Sequence, residues 1–248
     1  MVVLFSEYNI DYVPHFSPLH YLPFIARTRE LLSKKELRSR NFKDTHFRSK
    51  SKNSDEDRGF VDYAFLTLSK DPGIVRAKLE GGFPHVVIAV PTSGFQDVSF
   101  DLCRYNVAMS RRLPTSPQGG FSESDTNGRY YEGKKLPVAR TEIDQKAMLK
   151  AHYLKGTMIE VLVPQKLSLP DDTIIECFHE NDLSLSRKIL AECNCPWDLK
   201  LIDPPGRYNR DKVHVTSVEK FVEESLNDPD WRGDGLEFDR VGVGEGKR

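Results

Sequence analysis

Long apolar runs are missing from this sequence. No window of its 248 residues approaches the roughly 18 consecutive apolar positions that a membrane-crossing helix needs. Cysteine is scarce: Cys103, Cys177, Cys193 and Cys195 cannot frame a chain of this length with disulfides. Cys193 and Cys195 stand at the wrong spacing for a zinc-binding pair, and no second pair joins them. His15 and His20 have no third ligand placed by spacing, so no metal is expected. There is no Walker loop, no GxGxxG after a strand, no GxSxG and no HExxH, which removes four common catalytic signatures. The opening Met1-Val2-Val3-Leu4-Phe5-Ser6-Glu7 has neither the basic start nor the small-residue cleavage site of a secretory leader. A reduced, cytoplasmic protein is expected. No internal repeat is visible.

What is present is charge, balanced overall and uneven locally. Lys+Arg number 36 against 37 Asp+Glu, and the hydrophobic fraction of 38% suits a soluble globular chain with a sizeable core. Between residues 27 and 58 lie Arg27, Arg29, Lys34, Lys35, Arg38, Arg40, Lys43, Arg48, Lys50, Lys52 and Arg58, with acids sparse until Asp55. Such a run is either a solvated surface or a face for the phosphates of a dinucleotide or a nucleic-acid strand.

The elements alternate in kind. Residues 8–16 read as a strand ending near His15, with Ser17 placed to cap a following helix that starts at Pro18 and carries Leu19, Leu22, Ile25 and Ala26. Leu31-Leu32-Ser33 closes that unit. Strands are expected at 60–68, 85–90, 158–163, 173–178, 197–202 and 212–215, and helices at 73–80, 141–153, 183–193 and 218–226. Asn181 or Asp182 would cap the helix at 183. The segment 97–109 reads as either a short strand or a helix, and 43–60 and most of 114–135 as loop. The order gives a mixed α+β domain over residues 1–227, with a flexible tail at 228–248.

One carboxylate interrupts the most apolar strand. Met158, Ile159, Val161, Leu162 and Val163 surround Glu160. A Glu there either points to water or sits rigidly at the floor of a cleft, where it could orient a sugar hydroxyl, stabilise a developing cation or act as a base. His15 ends a strand and precedes a helix start, a place where backbone amides meet ligands. A lone His beside an apolar strand end is more often structural than functional.

Several segments, taken together, resemble the DarT-type ADP-ribosyltransferase toxins. Val13-Pro-His-Phe-Ser-Pro-Leu-His-Tyr-Leu-Pro-Phe-Ile25 with Leu31-Leu-Ser33 is similar to their N-terminal His-aromatic-Ser/Thr segment. Asp62-Tyr-Ala-Phe65 resembles their Asp-Tyr strand after a basic loop, His85 to Val90 their next core strand, and Ile159-Glu-Val-Leu-Val-Pro164 the segment with their catalytic glutamate. The order is kept over residues 10–195. Ala64, Leu66 and Leu68 depart from the family's Pro and aromatic residues, and the insert around Gln118-Gly-Gly120 has no counterpart.

The resemblance implies an α+β, ADP-ribosyltransferase-like core of two mainly antiparallel sheets with flanking helices. It implies NAD⁺ as co-substrate, no metal, and a base of single-stranded DNA (thymine or guanine) as acceptor, or RNA in more distant relatives. It also implies a monomer that acts as a toxin, with an antitoxin protein as partner. By the same resemblance Glu160 is catalytic and His15 holds the adenosine-side ribose, with Ser17 beside it. Arg48 serves the pyrophosphate as a further catalytic group, with Arg58 second, and Tyr63 or Phe65 stacks on the nicotinamide. Both aromatics also read as core residues of a strand. Two rivals are an RNA 2′-phosphotransferase of similar fold and a nucleic-acid-binding domain without catalysis.

Overall fold

The computed structural model describes residues 2–42, 60–68, 73–80, 84–104, 115–116, 130–131, 138–153, 158–206, 208 and 215–228. The fold grows around β4 (His85–Pro91), whose run of β-branched residues is buried at every position. A strand buried on both faces must be central in its sheet. β4 pairs antiparallel with β1 (Tyr12–Pro18) on one side and β11 (Ile174–Cys177) on the other. β11 then pairs parallel with β12 (Asp198–Leu201), completing the order β1-β4-β11-β12. The first and last thirds of the chain thus share one sheet.

The second sheet is antiparallel throughout, in the order β3-β9-β5-β8, with β3 at Tyr63–Thr67, β9 at Ile159–Pro164, β5 at Asp101–Arg104 and β8 at Val138–Ala139. Two smaller pairs complete the described strands. β2 (Glu30–Leu32) runs antiparallel to β10 (Lys166–Ser168), and β6 (Thr115–Ser116) parallel to β7 (Tyr130–Tyr131).

Both large sheets turn one face into a common core. Val13, Val86, Ile88, Val90 and Ile175 of the first sheet and Ala64, Leu66, Leu102, Val161 and Val163 of the second belong to one buried cluster, which also includes Leu4 and Val222. Each such Val, Leu or Ile side chain contributes roughly 1.5–3 kcal/mol by leaving water. The helices α2 (Leu22–Thr28), α6 (Glu180–Glu192) and α7 (Val215–Asn227) pack on one another beside it. α4 (Gly73–Glu80) covers the other face of the first sheet, where Val75 and Leu79 meet Val87 and Phe178. α5 (Glu142–His152) contacts β5 and β8, and α3 (Lys34–Ser39) contacts β2. The short α1 (Val2–Ser6) is too brief to stand alone in water. It is held by Phe5, whose ring lies 5.1 Å from that of Phe100 and 5.5 Å from that of Phe95.

Several sequence expectations need correcting. Ser17 does not cap a helix: β1 stays in register with β4 through Pro18↔His85, so Ser17 is a strand residue whose hydroxyl donates to the Pro18 carbonyl at 3.2 Å. A 3-10 turn at Leu19–Tyr21 precedes α2. Leu31-Leu32 does not end a helix either, because Arg29 turns left-handed (φ 51°) and the next residues pair with β10. Ser33 instead caps α3, accepting from the Glu36 amide. His179 rather than Asn181 or Asp182 caps α6, its ring nitrogen accepting from the Asn181 amide at 3.1 Å. Val215 opens α7 rather than closing a strand. The segment 97–109 contains β5. Residues 43–59, 117–129 and 229–248 lie outside the described residues, and with them the loop and tail expectations.

Candidate active site

Alternation along β9 decides where Glu160 points. Its even neighbours differ in fate from its odd ones: Ile159, Val161 and Val163 enter the large core, whereas Leu162 joins a small separate cluster with Phe60 and Cys103. Glu160 therefore shares the outer face with Leu162. Its cross-strand partners are Thr67 on β3 and Cys103 on β5, which places it at the middle of the sheet between two paired neighbours. It is 6% exposed. The reading of Glu160 as a strand residue pointing to water is therefore overturned. A buried carboxylate on a rigid strand costs stability unless donors or cations meet it.

Two edges meet beside it. β1 ends the first sheet and β3 ends the second, and the two strands are in contact. An edge strand leaves backbone groups without ladder partners. His15, half-buried on β1, supplies one: its Nδ1 lies 2.7 Å from the Phe65 carbonyl oxygen. A carbonyl only accepts, so Nδ1 carries a proton and, in the neutral ring, Nε2 carries the lone pair. Phe65 stands opposite Leu162, and thus one diagonal step from Glu160 on the same face. β3 is the link that brings the regions of His15 and Glu160 together.

The aromatic candidates fall on that face too. Tyr63 and Phe65 are partly buried and pack against Phe60, Cys103 and Leu162, with the Tyr63 ring 5.7 Å from that of Phe60. Burial pushes the Tyr63 phenol up, and the negative charge of Asp101 pushes the same way. Ser17 is buried on β1, two residues from His15 and on its side of the strand. Arg48 and Arg58 lie outside the described residues.

The described part of the basic stretch is occupied within the fold. Arg27 donates to the Ser225 carbonyl of α7, Arg29 pairs with Asp171 at 2.9 Å, and Arg40 pairs with Glu30 at 2.9 Å. Lys35 pairs with Asp62 at 3.0 Å, just before β3. Among the described residues no group of three or more His, Cys, Asp or Glu could hold a metal ion, and no helix is long and apolar enough to cross a membrane.

Sequence reasoning missed one ion pair on this face. Asp101 of β5 stands opposite Leu162, and its carboxylate lies 3.5 Å from Nε of Arg140, just after β8. Burial holds the Asp101 carboxyl above its usual range although Arg140 opposes it. The polar-apolar step Asp101-Leu102-Cys103 was the available signal, too short to separate strand from helix.

The sequence matches no protein-family model and no curated protein. The fold is shared with solved structures. The complex of Thermus sp. 2.9 DarT with NAD⁺ superposes with a TM-score of 0.52 at 12% identity, over 79% of this chain and 98% of that one. The complex of the same DarT with ADP-ribosylated single-stranded DNA gives 0.51 at 13% identity, over 82% of this chain and 96% of that one. By its fold the chain falls in the mixed α+β class that DarT represents. The expected fold is the observed one.

Proposed function

We propose that this chain is an NAD-dependent mono-ADP-ribosyltransferase that modifies a base in single-stranded DNA. The observation that carries the reading is Glu160, a carboxylate buried in the middle of a paired sheet and one diagonal step from Phe65, whose carbonyl His15 holds. The likeness in fold to a DarT bound to NAD⁺ and to ADP-ribosylated single-stranded DNA supports it.

Breaking the nicotinamide–ribose bond leaves an oxocarbenium-like sugar, and a fixed negative group beside that sugar lowers the barrier most when it is preorganised. Glu160 fills that role: it hydrogen-bonds a hydroxyl of the nicotinamide ribose and assists deprotonation of the acceptor base. His15, with its Nδ1 proton committed to Phe65, presents Nε2 to the adenosine-side ribose, and Ser17 supports it on the same strand. Tyr63 or Phe65 stacks on the nicotinamide. Arg48, with Arg58 second, neutralises the pyrophosphate. Residues 1–227 act as one catalytic unit. Incubation with labelled NAD⁺ and single-stranded DNA tests the reading: label moves onto the DNA if it holds, and NAD⁺ left intact or DNA left unlabelled overturns it.

A further inference from the structure

We infer that Asp101 and Arg140 read the acceptor base, and that the base they fit is guanine. The inference deepens the transferase reading and rests on it.

Position comes first. Asp101 and Glu160 lie on the same face of adjacent strands, because Asp101 pairs with Leu162 and Glu160 is two residues back along β9. Side chains so related start roughly 7–8 Å apart. That separation admits a planar ring between a group acting on the sugar and a group acting on the base. Tyr63, on the far strand of the same face, feels the charge of both Asp101 and Arg140, so all three border one surface.

The energetics of the pair are those of a binding group rather than a structural one. Asp101 is tucked in, with 15% of its side chain exposed, whereas Arg140 is 71% exposed and 3.5 Å away. A pair with one partner in solvent and a long contact contributes little to folding. It does not offset the burial of the carboxylate, since the Asp101 carboxyl stays above its usual range. A half-buried charge retained at a cost to stability is what an acceptor-binding site requires and a scaffold does not.

Chemistry then selects the base. A carboxylate offers two acceptor oxygens and a guanidinium offers only donors. Guanine presents N1–H and the 2-amino group side by side to the first, and O6 to the second. Thymine offers one N–H flanked by two carbonyls. Adenine and cytosine each present a ring-nitrogen acceptor where the carboxylate needs a donor. Guanine alone gives the carboxylate two adjacent donors and the guanidinium an acceptor.

The test uses the full chain, labelled NAD⁺ and single-stranded oligonucleotides that differ at one position: dG, deoxyinosine, dT, dA or dC. Deoxyinosine keeps N1–H and O6 but lacks the 2-amino donor. The parent protein should favour dG over dT, dA and dC by roughly tenfold or more, with deoxyinosine between. Asp101→Asn should bring the dG-to-deoxyinosine ratio close to one. Arg140→Gln, at an exposed position, should lower the dG-to-dA ratio, and it decides the matter if Asp101→Asn is inactive on every base. A parent protein that labels another base in preference to dG overturns the inference and leaves the transferase reading intact. So does an unchanged ratio in Asp101→Asn, or in Arg140→Gln where that variant decides. A parent protein that labels no oligonucleotide overturns the transferase reading itself.

Discussion

The imidazole of His15 donates to the carbonyl of Phe65 at 2.7 Å, and this bond fastens the edge of one sheet to the edge of the other. The same ring is assigned to NAD⁺ through its other nitrogen. The two duties can be separated by substitution. Asn places an N–H near the position of Nδ1 but has nothing at Nε2. His15→Asn should therefore keep the seam and cost under about 1 kcal/mol, while the KM for NAD⁺ rises at least roughly tenfold. His15→Ala should lose both, with a further fall in stability of about 1–2 kcal/mol. Denaturant melts and NAD⁺ titrations of the two variants check this. Equal NAD⁺ affinity in His15→Asn and the parent contradicts the ribose assignment.

Asp101 gives a pH-dependent signature. Its folded carboxyl titrates above its ordinary value, chiefly through burial, so the folded state holds its proton more tightly than the unfolded chain does. Stability is then lost as pH rises from the ordinary carboxylate value through the folded one, and the penalty is fully present at neutral pH. The charge facing Asp101 is that of Arg140, which opposes the effect without cancelling it. Asp101→Asn removes the penalty. It should melt higher than the parent at pH 7, and the gap should shrink as the pH falls through the acid range. A variant that melts lower at pH 7 would assign Asp101 a structural role.

α1 depends on one ring. Phe5 is fully buried between Phe95 and Phe100, and Phe5→Ala should cost about 3–5 kcal/mol. Because these rings lie in the large core, away from the face with Glu160, turnover per folded molecule should stay near the parental value. Thermal melts and active-site-normalised rates measure the two effects. A fall in turnover without a fall in stability would tie α1 to the site.

The sequence is readable wherever one period dominates. β4, β9 and β11 are short apolar runs bounded by Pro, Gly or acidic residues, and α5 follows Thr141, whose hydroxyl caps it by accepting from the Asp144 amide. Glu160 stood out because it breaks such a run. β2 was not readable, because Leu31 and Leu32 fit a helical stripe until β10, far along the chain, pairs with them. Asp101 was missed for the same reason. Its face is set by pairing with Leu162, and no local spacing encodes that register. The burial of Glu160 likewise follows from Thr67 and Cys103 on both sides, contacts that only the assembled sheet provides.

Glu160→Gln carries the central claim. The change keeps side-chain volume and part of the hydrogen bonding but removes the charge. Because the substitution is isosteric, the melting temperature should stay within a few degrees of the parent's. If the charge stabilises the ribose in the transition state, kcat should drop roughly a hundredfold or more, with NAD⁺ affinity changed far less. The direct measurement is single-turnover transfer of labelled ADP-ribose to single-stranded DNA by the parent and by Glu160→Gln. A folded variant with transfer nearly abolished is the expected result. A folded variant that transfers at the parental rate would contradict the central claim.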